Sequence, residues 1–374
     1  MKRPSGLALL IAATAVTTGW AVRGPVYLSG RALGMGGAFV GLSDDYSGIY
    51  YNPAGLARLN TPLDAGIALK FDVGDLFGVA GDALNVAGAH SGSLASVDSM
   101  AADNTLVDDI MIFDRRPITL GTAPEMHFAA RSTDPDLPLG IGAAWFLGSQ
   151  GSFMLDKGIY IPAAAARIRT DFVAKVAGAI QPLPGLCIGL SPTVATYHIF
   201  EQSISIQNYA TAGDTLQAML DAEKERIYKP GFGFGLTAGA LYDIVPTELR
   251  VGAVVYNIFL NIDNDPVPIT YSFGLAYLPA VLRNQGLLRY VNFDLDIDDA
   301  FAKKDFLEKV DFGAEMNMSL AQIRGGFKGG YPCYGLMANL FILQLEFTSW
   351  ADEAGLYAGQ LEDRHYMFGI RMGI

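Results

Sequence analysis

Charged residues are scarce in this 374-residue sequence, and basic residues are scarcer than acidic ones. Charged residues make up 17% of the chain, whereas a typical globular protein has about 25%. The 26 lysines and arginines face 38 aspartates and glutamates, which gives a formal net charge of −12. A nucleic-acid-binding surface needs a basic face. The composition therefore argues against nucleic acid as a partner.

Long apolar runs are lacking beyond the N-terminus, although 51% of the residues are hydrophobic. No later stretch approaches the roughly 18 uncharged apolar residues of a membrane helix. High apolarity without such runs is typical of a membrane β-barrel, in which only alternate residues of each strand contact lipid. The 43 glycines, 17 tyrosines and 21 phenylalanines agree, since glycines suit turns and aromatic residues gather at the membrane interfaces.

The N-terminus has the pattern of a secretion signal. Two basic residues precede the apolar run Leu7–Val16, and Gly19 and Ala21 occupy the −3 and −1 positions of a cleavage site. The run is too short to span a bilayer. We expect residues 1–21 to be a signal peptide; the alternative is an N-terminal membrane helix.

Cysteine and histidine are rare. The two cysteines, Cys187 and Cys333, lie in separate strand-like segments, and two interpretations stay open: a disulfide formed outside the cytoplasm, or two separate thiols. The four histidines lack metal-binding spacing such as HExxH; they are His90, His127, His198 and His365. We therefore expect neither a metal nor a cofactor.

Enzyme motifs are missing as well. Gly34 and Gly36 begin a GxGxxG pattern, but Phe39 stands at the third glycine position and no Walker lysine follows. No Gly-x-Ser-x-Gly elbow occurs. We expect a protein that is not an enzyme. The alternative, a barrel-embedded lipase, would need His198 or His365 beside a serine of a neighbouring strand.

Alternating segments fill most of the chain, and Val291–Asp298 is the clearest of them. One face of that segment carries Val291, Phe293, Leu295 and Ile297, and the other carries Asn292, Asp294, Asp296 and Asp298. In a soluble sandwich the acidic face would meet solvent, and in a barrel it would line water in the lumen. Alternation alone leaves both folds open.

The number and length of these segments predict an all-β fold, an outer-membrane antiparallel β-barrel of about fourteen strands with a few short loop helices. The barrel is expected over residues 63–374. Prolines inside the predicted strands indicate kinks or bulges; they are Pro124, Pro162 and Pro192. Three stretches break the strand pattern, the second and third with helical character: Val79–Asp109, Asp214–Tyr228 and Phe301–Lys309.

The last strand supports membrane insertion. Five apolar residues alternate up to the terminus: Tyr366, Phe368, Ile370, Met372 and Ile374. A final amphipathic strand with aromatic residues resembles the signal read by the barrel-assembly machinery, although that signal usually ends in phenylalanine. We therefore expect that machinery as a partner during insertion, membrane lipid as a permanent one, and a location in the outer membrane of a diderm bacterium.

The stretch Gly30–Leu56 is too rich in glycine to form a regular helix or a long strand by itself. Something outside it must hold it, and a barrel lumen would serve. Pro53 fixes one backbone angle and Asn52 can bond to its own backbone, so the pair can hold a turn. We expect residues 22–62 to form a plug within the barrel; the alternative is that they make surface turns.

Within this stretch, Arg31–Leu56 resembles the N-terminal signature of the FadL superfamily of outer-membrane transport proteins. The shared residues are a glycine-rich lead, an acidic pair and an Asn-Pro-Ala triplet: Gly34, Gly36, Gly37 and Ala38, then Asp44 and Asp45, then Asn52, Pro53 and Ala54. Three C-terminal segments resemble the PorV-like branch: Phe312–Glu315, Tyr357–Gln360 and Arg364–Tyr366.

The resemblance implies a fourteen-stranded barrel whose N-terminal segment folds back as a lumenal hatch. It further implies passive transport of hydrophobic small molecules, such as long-chain fatty acids, across the outer membrane. The PorV-like branch implies the alternative of a structural or secretion-associated barrel that binds a protein partner. A soluble secreted β-sandwich is the third possibility. The residues of a ligand pocket cannot be read from the sequence.

Overall fold

A computed structural model describes residues 27, 29–89, 118–134, 138–156, 163–205, 232–262, 265–353, 357–360 and 362–374. The predicted signal peptide, the predicted helix Asp214–Tyr228 and Pro162 lie outside these residues. The strands are β1 (Leu63–Gly74), β2 (Ile118–Arg131), β3 (Leu139–Asp156), β4 (Ala163–Leu183), β5 (Leu186–Ser205), β6 (Gly233–Val245), β7 (Leu249–Ile262), β8 (Asp265–Pro266), β9 (Thr270–Tyr277), β10 (Leu288–Ile297), β11 (Val310–Met318), β12 (Ala321–Lys328), β13 (Tyr331–Leu340), β14 (Leu343–Glu353) and β15 (Glu362–Gly373).

The strands form one closed antiparallel barrel. Each wall strand pairs with the next along the chain, and β1 pairs with β15 to close the ring. The two-residue β8 extends the ladder at the end of β7. The wall therefore has fourteen strands, as the sequence predicted. The turns after β2, β4, β6, β9, β11 and β13 and the C-terminus share one end, which we call the short-turn end.

Large apolar side chains cover the outside of the wall. On β10, 42% of the Leu295 surface is exposed, whereas Asp294 and Asp296 are buried. The same alternation leaves Ile67, Leu69 and Phe71 of β1 exposed. Such an apolar exterior suits lipid, whereas a soluble sandwich packs its apolar faces against each other. The structure thus excludes the sandwich and confirms which face of β10 points outward.

The prolines coincide with interruptions of the strand ladder. Pairing between β2 and β3 skips Ala123 and Pro124, and pairing between β4 and β5 skips Ser191 and Pro192. Because proline has no N–H to donate, it is tolerated where a rung is missing. The strands continue past both prolines without ending.

The described helices are short: α1 (Gly30–Gly34), α2 (Leu76–Ala89), and 3₁₀ turns at Tyr46–Ile49, Pro53–Arg58, Ala280–Leu282 and Leu307–Lys309. In the described part of the chain, no helix has the length and apolarity to span a membrane. The break predicted at Val79–Asp109 is confirmed as far as Ala89, where α2 ends.

The helix predicted over Phe301–Lys309 is wrong, since only the 3₁₀ turn at its end forms. The connection between β10 and β11 is closed by a hydrogen bond from the Asp298 N–H to the Lys309 carbonyl at 2.7 Å. Asp299, just before the predicted stretch, has a φ of +46°, which begins the turn that leads out of β10. The hairpin geometry therefore overrides the helical pattern.

Candidate functional site: an N-terminal segment within the barrel

Residues 29–60, here called the N-terminal segment, contact inward-facing side chains and backbone on opposite sides of the barrel. Thr348 of β14 donates a hydrogen bond to the Gly30 carbonyl at 3.2 Å. Across the barrel, Ser191 of β5 donates to the Ile49 carbonyl at 3.1 Å. The largest fully buried side chains of the protein include Met35, Phe39, Leu42, Ile49 and Leu56, all from this segment. These contacts place the segment in the interior of the barrel.

Asn52 organises the centre of this segment. Its side-chain oxygen accepts a hydrogen bond from the Ala54 N–H at 3.2 Å, which begins the 3₁₀ turn that has Pro53 at its first position. Its amide nitrogen donates to the carbonyls of Val40 at 3.0 Å and Ala240 of β6 at 3.2 Å. One fully buried side chain therefore links two parts of the segment to the wall.

The glycine-rich lead passes close to the wall. Gly36 and Gly37 have φ values of +71° and +92°, a region that glycine adopts without a steric penalty. A side chain at Gly36 would collide with the carbonyl oxygen of Phe327 in β12. Gly34 lies against the backbone of Gly335 in β13, and Ala38 is fully buried.

The acidic pair Asp44 and Asp45 meets Arg31, a residue that carried no role in the sequence interpretation. Arg31 Nη1 lies 2.6 Å from Asp44 Oδ1 and 2.9 Å from Asp45 Oδ2. Its remaining nitrogens form a bidentate pair with Glu315 of β11, with both distances at 2.7 Å. Arg31 thus ties the two carboxylates of the segment to a carboxylate of the wall.

The two aspartates respond differently to this cluster. Burial raises the pKa of the Asp44 carboxyl, and the attraction of Arg31 does not overcome that rise. Burial acts on Asp45 as well, but Arg31 and the hydrogen bonds from Ser47 outweigh it and lower the pKa of Asp45. Asp45 accepts from the Ser47 N–H at 2.8 Å. Of the two, Asp45 is therefore the better stabilised as an anion.

The acidic face of β10 holds the segment through its backbone. Asp296 accepts hydrogen bonds from the N–H groups of Phe39 at 2.6 Å and Val40 at 2.7 Å. Asp294 accepts one from the Leu42 N–H at 3.0 Å. The sequence predicted the inward direction of these carboxylates but assigned them to lining water. Their partners lie about 250 positions away along the chain, so no local pattern could reveal them.

An aromatic cluster joins the segment to β1, β2 and β3. The rings of Tyr27 and Tyr50 stack at 3.7 Å between centroids, and Phe146 lies 5.5 Å from Tyr27. Tyr27 also donates to Glu125 at 2.7 Å, and Glu125 in turn pairs with Lys70 at 2.5 Å. Apolar side chains of the segment and wall continue this cluster: Ile49, Leu56, Val173, Leu260 and Ile262.

A cavity of about 1030 Å³ lies between the N-terminal segment and the short-turn end. Residues of the segment, including Arg31 and Asp44, line its inner side. Its outer side is formed by the short turns, with Asp134, Thr247 and Arg283 among the lining residues. Most of the residues that line this cavity are polar or charged, which differs from the predominantly hydrophobic lining of a typical ligand pocket.

The predicted insertion signal lies on β15, which pairs with β1 and β14. Phe368, Ile370 and Met372 are exposed on the outer face, and Ile374 is exposed after the strand ends. Tyr366 is largely covered, with its ring 6.4 Å from that of Phe347. The side chains thus lie where lipid would meet them, and their role as an assembly signal stays a prediction.

His365 contacts Asp72 at 3.0 Å through one ring nitrogen and Asp363 at 3.5 Å through the other. His198 lies 3.4 Å from the hydroxyl of Thr196. Cys187 and Cys333 are both buried free thiols. Among the described residues, no cluster of three or more His, Cys, Asp or Glu side chains could hold a metal ion.

Comparison with solved structures identifies barrels of the same fold. The toluene transporter TbuX of Ralstonia pickettii superimposes with a TM-score of 0.51 at 12% identity, over 94% of this chain and 99% of the transporter. The deltaS2 mutant of the TodX monoaromatic hydrocarbon channel gives 0.55 at 11% identity, over 92% and 97%. No protein-family model and no curated protein matches the sequence. At such low identity the similarity establishes the fold.

Proposed function

We propose that this protein is a channel for passive transport of hydrophobic small molecules across the outer membrane of a diderm bacterium. One observation carries the proposal: a closed barrel with an apolar exterior is filled by a segment that no strand ladder holds. The segment is attached through side-chain hydrogen bonds and ion pairs. Such contacts can exchange for others, whereas a strand within the sheet cannot leave without opening the wall.

The shared fold supports the same proposal. TbuX is a toluene transporter and TodX a monoaromatic hydrocarbon channel, and both match nearly their full lengths to this chain. We propose that this protein also transports hydrophobic small molecules, and that long-chain fatty acids are among them. Burial of alkyl groups would drive binding at roughly 0.8 kcal/mol per CH₂ group.

In this proposal the N-terminal segment is the hatch, within an N-terminal domain of residues 22–62. Gly34, Gly36, Gly37 and Ala38 let it approach the wall; Asp44, Asp45, Asn52, Pro53 and Ala54 hold its turns. Short turns face the periplasm in barrels of this kind, so the segment would separate the outer lumen from the short-turn cavity. A shift of the segment would open a route for the cargo.

Uptake by cells tests the proposal. A strain lacking this protein should take up less labelled toluene or labelled oleate than the same strain carrying the gene on a plasmid. A second complementing plasmid with Leu295→Arg, which is expected to weaken insertion, serves as a matched control for barrel assembly. Uptake that stays unchanged for both compounds in the deletion strain would contradict the proposed transport.

A further inference from the structure

The short-turn cavity carries an excess of positive charge on one side. Four arginines line it on the arc formed by the turns after β6 and β9, together with the segment residue that faces that arc: Arg58, Arg250, Arg283 and Arg289. We call this set the basic rim. The chain as a whole has a net charge of −12, so the basic rim differs in sign from the rest of the protein.

Within the basic rim, a single carboxylate serves two guanidinium groups. Asp243 lies 2.7 Å from Arg58 Nη2 through one oxygen and 2.9 Å from Arg250 Nε through the other. Arg250 also donates to the Leu42 carbonyl at 3.2 Å. The guanidinium groups are therefore fixed in place, and the two of them share one contacting carboxylate.

The other two rim arginines have no carboxylate at all among their contacts in the described residues. Arg283 is held by neutral acceptors, the carbonyls of Thr247 and Leu278, the latter at 2.9 Å. Arg289 is exposed to solvent. Carbonyl oxygens orient a guanidinium without neutralising it, so Arg283 presents its full charge to the cavity.

Four of the remaining carboxylates of the cavity lie elsewhere and pair with other cations. Asp44 and Asp45 pair with Arg31, Asp64 with Arg371, and Glu346 with Arg324. Asp134 belongs to the turn after β2, where Arg131 also lines the cavity. These four carboxylates therefore do not contact the basic rim.

We propose that the basic rim binds an acidic peptide segment of a partner protein at the short-turn end of the barrel. The cavity of about 1030 Å³ lies at the upper end of the range for small-molecule sites, which hold about 300–1,000 Å³. Its outer side is lined by the short turns, and the rim arginines come from the N-terminal segment, β7, the turn after β9 and β10. On an acidic protein, this rim is where an acidic partner meets attraction.

Peptide binding to the full chain purified in detergent tests this inference. The probe is fluorescein-labelled hexaglutamate, followed by fluorescence anisotropy at low ionic strength, with labelled hexaglutamine as the neutral comparison. The variant Arg283→Gln/Arg289→Gln removes the two rim charges that lack a carboxylate. The matched control Lys303→Gln/Lys304→Gln removes two exposed charges from the connection between β10 and β11, at the opposite end of the barrel.

We expect hexaglutamate to bind the unmodified protein and hexaglutamine not to bind. Loss of two exposed charge contacts should weaken hexaglutamate binding about two- to thirtyfold in the rim variant, and the control should leave it unchanged. Added salt should weaken binding to the unmodified protein. Equal weakening in both variants, or absence of hexaglutamate binding, would overturn the inference. Displacement of the peptide by citrate at equal concentration would show a small-anion site and overturn the assignment to a peptide.

Discussion

At the scale of single residues, Arg31 forms ion pairs with three carboxylates. It meets two carboxylates from its own segment and one from β11, while Arg324 gives Glu315 a second partner at 3.1 Å. Nothing in the local sequence marks Arg31, because its role depends on a carboxylate 284 positions away. Buried charge pairs of this kind cost much when one partner is lost, since the other charge remains in the interior.

The variant Arg31→Gln should release the N-terminal segment while the wall stays folded. Loss of a buried charge partner costs about 3 kcal/mol, so hydrogen exchange of amides in residues 29–60 should accelerate at least about a hundredfold. Exchange measured by mass spectrometry checks this, with Arg364→Gln at the opposite end of the barrel as control. Unchanged exchange in the Arg31 variant would show that other contacts hold the segment alone.

Gly36 allows a second residue-scale test because the chain offers a matched glycine. Gly36 and Gly286 have similar φ values of +71° and +64°, but only Gly36 lies against backbone, while Gly286 faces open space. Both Gly→Ala changes incur strain of about 1–2 kcal/mol, and overpacking adds about 1–3 kcal/mol at Gly36 alone. Amide exchange in residues 29–60 should rise in Gly36→Ala and not in Gly286→Ala. A similar response in both would mean that the close approach has no energetic weight.

At the scale of elements, the sequence predicted the two faces of strand β10 but not the groups that its inner face contacts. Alternation predicted its two faces, because side chains of a strand point to opposite sides in turn. The sequence did not predict what contacts the inner face, because Asp294 and Asp296 accept hydrogen bonds from backbone N–H groups of the N-terminal segment, which is remote in sequence. The helix expected at Phe301–Lys309 does not form, because this stretch closes the hairpin between β10 and β11. Local patterns thus predicted the wall, whereas contacts between distant segments required the structure.

The outward face of β10 can be tested with arginine scanning. Leu295 is exposed on the outer face of β10, opposite Phe312 of β11, where lipid would surround it. Leu295→Arg should lower the free energy of unfolding in vesicles by about 2–4 kcal/mol. Leu287→Arg, in the turn before β10, should cost only about 0–1 kcal/mol, as expected near an interface. Urea titration of both variants measures the difference, and equal costs would contradict the lipid-facing assignment.

At the scale of the whole molecule, a barrel of fourteen strands is wide enough to leave a passage unless something fills it. The N-terminal segment reaches β5, β6, β10, β11 and β14, and thus spans the lumen in several directions. Its polar and apolar contacts with the wall are separate from the strand ladders, and the ring of strands closes through the pairing of β1 with β15. The two parts of the molecule should therefore be separable.

Electrical conductance across a planar bilayer tests this central claim most directly. The unmodified protein should give small or no steady currents, and the variant lacking residues 30–56 should insert and give large, stable ion currents. Heat-modifiable migration on a gel confirms that the shortened barrel is folded. A folded, inserted deletion variant that conducts no better than the unmodified protein would contradict the claim that this segment closes the barrel.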